Sequence, residues 1–187
     1  MNKYFFATLL AIPIYINYCN QDFSLKGPEV KKVSSFDGYW NQGKAEINVF
    51  DLYQARYGEM RQGEAVLIFV TEEFSKEKQV KLDDVSIPHD QKIPVLKMNM
   101  VKNFHTGIYP YSMMLSSFVP AGGIAPWQAT KISYSVQEWC GHVYGQLNQK
   151  NDHYRYQLHS YFENDANIDT KLDRFMTEDA VWNLIRI

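Results

Sequence analysis

The chain has 187 residues, 45% hydrophobic and 15% aromatic, and its 19 basic and 21 acidic side chains leave a formal net charge of -2. This length supports one domain with a substantial core rather than two domains. The balanced charge lacks the basic surface that nucleic-acid binding requires, so we predict no nucleic-acid partner. The high aromatic content favours half-buried sheet surfaces.

Residues 1–19 have the pattern of an export signal. Lys3 precedes an apolar run from Tyr4 to Tyr18, which has the length of a signal-peptide core and is short for a membrane-spanning helix. The run ends at Cys19, and the polar residues Asn20 to Asp22 follow. This order is typical of bacterial lipoprotein signals, although such signals favour a small residue where Tyr18 stands. We therefore predict export to the periplasm or the outer face of a membrane, with a lipid anchor on Cys19.

Two alternatives to this N-terminus are an ordinary cleaved signal and a retained N-terminal helix. The chain has two cysteines, so lipidation of Cys19 would leave Cys140 as the remaining thiol. A free Cys19 would instead permit a disulfide with Cys140 in an oxidising compartment. Residues 20–35 are polar and are predicted to form a tether, and residues 36–187 are predicted to form a single β-rich domain. Because the chain ends at Ile187 without a helix C-cap, we expect a truncated C-terminus.

Strand-length runs separated by turn signals occupy most of this domain. Arg61–Gly63 is a predicted turn, and Pro120–Trp127, with two glycines and two prolines, is the clearest loop. Thr177 is a predicted N-cap of a C-terminal helix. The pattern predicts a mainly β fold, an antiparallel β-sandwich or partly closed β-barrel with a short C-terminal helix. The predicted strands are Lys44–Met60 with a bend near Phe50, Glu64–Thr71, Lys78–Leu82, Lys92–Phe104, Ile108–Phe118, Lys131–Gly145 and His153–Phe162.

The candidate site lies in the stretch from Lys131 to Gly145. Read as one strand, it places Glu138, Cys140 and His142 on the same face, as a continuation of an apolar face. A carboxylate, a thiolate and an imidazole suit zinc, and the further ligand candidates are His153, His159 and His105. Alternatively, Cys140 is a nucleophile with His142 as its base. The third interpretation is ordinary packing, with Cys140 as a small buried side chain.

Three segments carry a resemblance to a known family. They are Q-A-R-Y-G-E-M-R-Q-G-E-A-V-L-I-F-V-T-E-E-F-S (Gln54–Ser75), F-H-T-G-I-Y-P-Y-S-M-M (Phe104–Met114) and V-Q-E-W-C-G-H (Val136–His142). They resemble an uncharacterised family of exported bacterial lipoproteins that often carries the label septum formation inhibitor Maf. True Maf proteins are nucleotide pyrophosphatases with an S-x-R-R-type motif and an α/β fold, and this sequence has neither feature. The resemblance therefore implies export, and it implies no activity or catalytic residue.

These observations predict an exported, lipid-anchored protein of the cell envelope with a non-enzymatic structural or ligand-binding role. The alternative is a metal-dependent or thiol hydrolase that uses Glu138, Cys140 and His142. We expect no cofactor, with zinc as the exception that the hydrolase alternative requires. A group of four methionines is predicted to fill the core or to line a cavity for a lipid or another hydrophobic ligand. They are Met98, Met100, Met113 and Met114.

Overall fold

The computed structural model describes residues 36–121 and 128–187. The predicted signal at 1–19 with its Cys19, the predicted tether at 20–35 and residues 122–127 of the predicted loop lie outside the described residues. None of the helices within the described ranges has the length and apolar character needed to cross a membrane.

Eight antiparallel strands follow a short N-terminal helix, and a single-turn helix lies near the end of the chain. The predicted mainly β fold with a short C-terminal helix is confirmed. A 3-10 turn, Glu178–Ala180, leads into the second helix. The elements are α1 (Phe36–Trp40), β1 (Glu46–Arg56), β2 (Glu59–Ser75), β3 (Lys92–Thr106), β4 (Tyr109–Pro120), β5 (Lys131–Glu138), β6 (Gly141–Gln149), β7 (His153–Ser160), β8 (Ile168–Asp173) and α2 (Val181–Leu184).

Each strand pairs with the next one in the chain, so the sheet is a simple meander in the order β1 to β8. Arg56 of β1 and Val136 of β5 line the same cavity, which shows that the sheet is strongly curved. In a flat sheet, strands four positions apart would be separated by about 19 Å. The sheet curves without closing into a barrel.

The concave face of the sheet carries most of the core. Alternation along each strand sends one set of side chains to this face, and the register of the pairs keeps the same set aligned across all eight strands. A smaller cluster of Phe74, Val95 and Phe118 lies on the convex face. The buried residues of the concave face include Leu67, Phe69, Leu96, Met98, Phe104, Tyr111, Val119, Ile132, Leu147, Tyr154 and Leu158.

Segments from both ends of the described chain pack against the concave face. Trp40 of α1 is buried against Leu67 and Met98, and its indole N–H donates to the carbonyl of Arg186 at 3.3 Å. The Arg186 guanidinium lies 3.6 Å from the centre of the Phe69 ring and bonds the Glu46 carboxylate at 2.7 Å. The two termini of the domain therefore hold each other on one part of the sheet.

The structure corrects the predicted path of the first hairpin. β1 runs without a bend at Phe50, because the apparent change of phase arises from apolar side chains on both faces of one regular strand. The turn is Tyr57–Gly58 rather than Arg61–Gly63, and both of its residues have positive φ, 55° and 75°. Two such residues form the tight hairpin turn that fits the twist of the flanking strands.

Two further differences concern short strands. The predicted edge strand Lys78–Leu82 is reduced to a single bridge between Phe74 and Lys81, because this connection instead folds back over the end of β2. The sequence pattern did not predict β8, Ile168–Asp173, which pairs with β7 along its whole length.

Candidate functional site

The predicted trio of Glu138, Cys140 and His142 does not lie on one strand face. β5 ends at Glu138, and β6 begins at Gly141, so Trp139 and Cys140 form a two-residue turn. In this hairpin, Gln137 pairs with His142 and Glu138 pairs with Gly141, which reverses the phase of β6 relative to β5. Glu138 therefore belongs to the concave face, and His142 belongs to the convex face. The single-strand interpretation was wrong.

The turn gives Glu138 and Cys140 a structural relation. The Glu138 carboxylate accepts a hydrogen bond from the Cys140 backbone N–H at 2.9 Å, which caps the turn. Cys140 is a free, exposed thiol. The Glu138 carboxylate raises the pKa of the Cys140 thiol, first through a hydrogen bond with that thiol and also through its negative charge. A nucleophilic thiol needs the opposite shift, since the thiolate is the reactive species.

The other predicted ligands lie apart on the convex side of the sheet. His105 is exposed near the end of β3. His153 contacts the Asp152 carboxylate at 2.6 Å, and His159 contacts the side-chain oxygen of Asn167 at 3.3 Å. Within the described ranges, no three or more His, Cys, Asp or Glu side chains come together as a metal-binding group. An open cleft of about 700 Å³ beside the turn is lined by all three residues of the predicted trio, Glu138, Cys140 and His142. Its other walls include Ser112, Gln137 and Tyr161.

Two smaller cavities lie on the concave face, and sequence reasoning identified neither. The first, the Arg56 cavity, has a volume of about 240 Å³. It lies at the end of the sheet where β5 turns into β6, and its walls include Arg56, Phe104, Tyr111, Met113, Val136 and Val143. The second, the Tyr156 cavity, has a volume of about 270 Å³. Its walls include Ile132, Tyr134, Leu147, Tyr156, Leu172 and Phe175.

The two cavities follow the same pair of strands. Val136 and Val143, which face each other across β5 and β6, belong to the Arg56 cavity, and the opposed Ile132 and Leu147 belong to the Tyr156 cavity. Between these two pairs, Tyr134 lies opposite Gly145. The cavities are therefore neighbours on one apolar groove along the β5–β6 hairpin.

Tyr134 separates the two cavities because its ring lies over Gly145. A Cβ atom at position 145 would come within 2.5 Å of the Tyr134 ring, so glycine is needed for this contact. The Tyr134 and Tyr156 hydroxyl oxygens are 2.7 Å apart, which ties the ring to β7. Burial and the hydrogen bond with Tyr156 raise the pKa of the Tyr134 phenol.

Polar groups occur at the two ends of the groove. At one end, the Arg56 guanidinium lies over the rings of Tyr57 and Tyr111, at 4.7 and 5.3 Å from their centres. The Tyr57 and Tyr111 hydroxyl oxygens are 3.0 Å apart. At the other end is Asp179, and burial raises the pKa of its carboxyl. The groove thus has an apolar middle, with Arg56 and Glu138 at one end and Glu178 and Asp179 at the other.

The chain was also compared with known proteins. No protein-family model, curated protein or solved structure matches it.

The sequence contained part of the signal for the groove. Ile132, Tyr134, Val136 and Glu138 share one face of β5, as the alternation predicted, and Met113 lines the Arg56 cavity, as the methionine pattern allowed. Arg56, Tyr111 and Tyr156 carried no local signal, because their proximity depends on the curvature of the sheet.

Proposed function

We propose that this protein is an exported, lipid-anchored component of the cell envelope that binds an apolar molecule in the groove along the β5–β6 hairpin on its concave face. The observation that carries the proposal is the pair of neighbouring cavities separated by Tyr134. Ligand sites are typically concave, largely apolar and equipped with a few polar groups, and their volumes begin near about 300 Å³. Each cavity alone lies just below that size, and the two together exceed it.

The lining of the groove supports binding rather than simple packing. Met113, Tyr134, Val136, Val143 and Tyr156 are only partly buried, although they lie on the face that carries the core. Covering such surface gains roughly 25 cal/mol for each Å² of apolar area removed from water. The exposed apolar walls therefore favour occupation by an apolar molecule.

The charges at the groove suggest the chemical class of the molecule. The opposed pairs Val136–Val143 and Ile132–Leu147 form an apolar central part that suits a hydrocarbon chain, and the charged walls are Arg56 and Glu138 in one cavity and Glu178 and Asp179 in the other. Arg56 lies at the end beside the β5–β6 turn, where it would attract a carboxylate or another anionic head group, and Glu138 in the same cavity would oppose part of that attraction. We therefore propose a single-chain amphiphile such as a fatty acid, with its head group near Arg56.

Export and anchoring rest on the N-terminal sequence. The apolar run ending at Cys19 supports lipidation, and the resemblance to exported lipoproteins supports the same location. One observation favours the hydrolase alternative, the open cleft that Glu138, Cys140 and His142 line together. Against it, Glu138 raises the pKa of the Cys140 thiol, and Glu138 and His142 lie on opposite faces of the sheet.

Labelling with palmitate tests the anchor. We expect cells that express the full-length protein to incorporate labelled palmitate into the wild type and into Cys140→Ala, and to lose this label in Cys19→Ala. The Cys140→Ala variant is the matched control, because it removes the other cysteine. Label that persists in Cys19→Ala would refute the proposed anchor.

A pair of substitutions on adjacent residues of β5 tests the groove. Val136→Phe fills the groove, whereas Ser135→Phe adds the same side chain to the convex face. We expect the wild type to bind a fluorescent polyene fatty acid saturably, and Val136→Phe to lower the affinity at least about tenfold, a change of roughly 1.4 kcal/mol. Energy transfer from tryptophan to the polyene, measured in lipid nanodiscs, reports binding. Equal affinities for Val136→Phe and Ser135→Phe would count against the groove.

A further inference from the structure

One edge of the sheet presents a row of exposed aromatic and apolar side chains, which we call the aromatic rim. The exposed fractions are 74% for Ile108, 70% for Tyr161, 68% for Tyr57 and 65% for Trp139. Phe162 is also exposed. The rim includes one or more of these side chains in each of four connections, which are every second connection along the chain.

The meander explains why these side chains meet at one edge. β1, β3, β5 and β7 all end at the same side of the sheet, so the β1–β2, β3–β4, β5–β6 and β7–β8 connections lie side by side. Neighbouring connections are in contact, since the Tyr109 and Trp139 rings lie 5.3 Å apart and Tyr161 packs against Gly141. The rim is therefore a continuous surface rather than a set of isolated residues.

Two of the three connections at the opposite edge of the sheet are rich in charged residues. The β2–β3 connection contains Lys76, Glu77, Lys78, Lys81, Asp83, Asp84 and Asp90, and the β6–β7 turn contains Lys150 and Asp152. The third connection at that edge, residues 121–130 between β4 and β5, has no charged residue. At the rim, the turns Tyr57–Gly58, Gly107–Ile108 and Trp139–Cys140 have none, and the β7–β8 connection contains Glu163 and Asp165. Turns are usually polar, so this difference between the two edges requires an explanation.

We propose that the aromatic rim rests in the interfacial region of a lipid bilayer. Tyrosine and tryptophan concentrate at this depth, because their rings are apolar and their hydroxyl and N–H groups remain hydrated. Charged side chains flank the rim without a basic excess: Arg56 and Arg61 are outnumbered by Glu59, Glu138, Glu163 and Asp165. Contact with the bilayer therefore depends on aromatic insertion and tolerates salt, and it needs no anionic lipid.

This inference builds on the lipid anchor of the proposed function. The domain begins at Phe36 and Trp40, which lie near Thr71 of β2, at the edge away from the rim. The predicted tether of about 16 residues reaches roughly 50–60 Å when extended. A strand of the length of β1 spans about 36 Å. The extended length of this tether therefore exceeds the length of β1 along the sheet.

The rim also adjoins the groove. Phe162 and Gly141 contribute to the walls of the Arg56 cavity, and both belong to the rim or to its β5–β6 turn. A single-chain amphiphile in the bilayer would meet this end of the groove first when the rim is docked. Docking therefore gives the ligand a route that avoids bulk water.

Quenching of tryptophan fluorescence by brominated lipid tests the docking. The full-length protein is reconstituted in phosphatidylcholine vesicles, with bromine atoms near the head-group end of the acyl chains. We expect strong quenching of the wild type and loss of most of it in Trp139→Phe. Trp182→Phe is the matched control, because Trp182 is 43% exposed on α2 and lies off the rim. Equal quenching of the wild type and Trp139→Phe would overturn the proposal.

A second pair of variants tests the whole rim rather than one probe. Ile108→Asp introduces a charge at the rim, and Val85→Asp introduces the same charge at an exposed apolar position of the β2–β3 connection. We expect Ile108→Asp to remove at least about half of the quenching that depends on Trp139, and Val85→Asp to leave it unchanged. The protein could instead form a dimer in the absence of vesicles, and Ile108→Asp could dissociate it. That result would overturn the proposal and assign the rim to contact with a second copy of the chain.

The intact mass of the same protein separates this inference from the anchor. Quenching that depends on Trp139, found with an unmodified Cys19, would support the rim and refute the anchor. A lipidated Cys19 without such quenching would refute the rim and leave the anchor in place.

Discussion

Asn183→Ala is expected to lower the free energy of unfolding by about 2–4 kcal/mol. Asn183 is fully buried on α2, and its amide donates to the Leu96 carbonyl at 2.7 Å. Its side-chain oxygen accepts a hydrogen bond from the Ser117 hydroxyl, which is itself fully buried. The substitution removes both hydrogen bonds, and each unsatisfied buried group costs about 1–3 kcal/mol. Asn183 thus fixes α2 to β3 and β4.

Urea denaturation of the full-length protein in detergent, followed by near-ultraviolet circular dichroism, measures this loss. Ile185→Ala is the matched control, because Ile185 is two residues away and 70% exposed. We expect it to change the free energy of unfolding by less than about 0.5 kcal/mol. Similar midpoints for Asn183→Ala and the wild type would show that these hydrogen bonds contribute little to stability.

Gly63→Ala is expected to destabilise the sheet by at least about 3 kcal/mol. A Cβ atom at position 63 would lie 2.1 Å from the carbonyl oxygen of Asn103 and 2.7 Å from the Cβ of Phe104. These atoms belong to or adjoin the backbone of β3, so a rotation of a side chain cannot relieve the overlap. β2 and β3 would have to separate where they begin to pair.

Gly107→Ala separates this steric effect from the general effect of replacing a glycine. Gly107 has a φ of 63°, and a Cβ atom at this position would meet open space, so its replacement strains the backbone without an overlap. We expect a loss of about 1 kcal/mol there, measured by the same denaturation. An equal loss in both variants would contradict the close approach of β3 to Gly63.

The sequence predicted the fold class well because most strands have one apolar face. Ile132, Tyr134 and Val136 alternate on β5, and Leu96, Met98 and Met100 alternate on β3, and each set faces the concave side. β8 was missed because its polar residues Asp169, Thr170 and Lys171 give little alternation, and its pairing with β7 determines its structure. The bounds of such strands depend on neighbours that a local pattern does not contain.

The candidate site was predicted only in part, because one turn decides its geometry. Trp139 and Cys140 lack the Asn or Gly that usually marks a two-residue hairpin, so the sequence indicated a single strand. The turn reverses the phase of β6, which puts His142 and Glu138 on opposite faces of the sheet although both line the cleft beside the turn. The groove was not predictable, since Arg56 and Val136 become neighbours only when the sheet curves.

The most direct test of ligand binding locates a bound fatty acid on the protein. A fatty acid with a diazirine in its acyl chain is incorporated into vesicles with the full-length protein and activated by light, and the adducts are mapped by tandem mass spectrometry. We expect adducts on Met113, Val136 and Val143, which line the groove. Ile47 and Val49 are exposed apolar residues of the convex face. Adducts on these two residues, with none in the groove, would contradict binding in the groove.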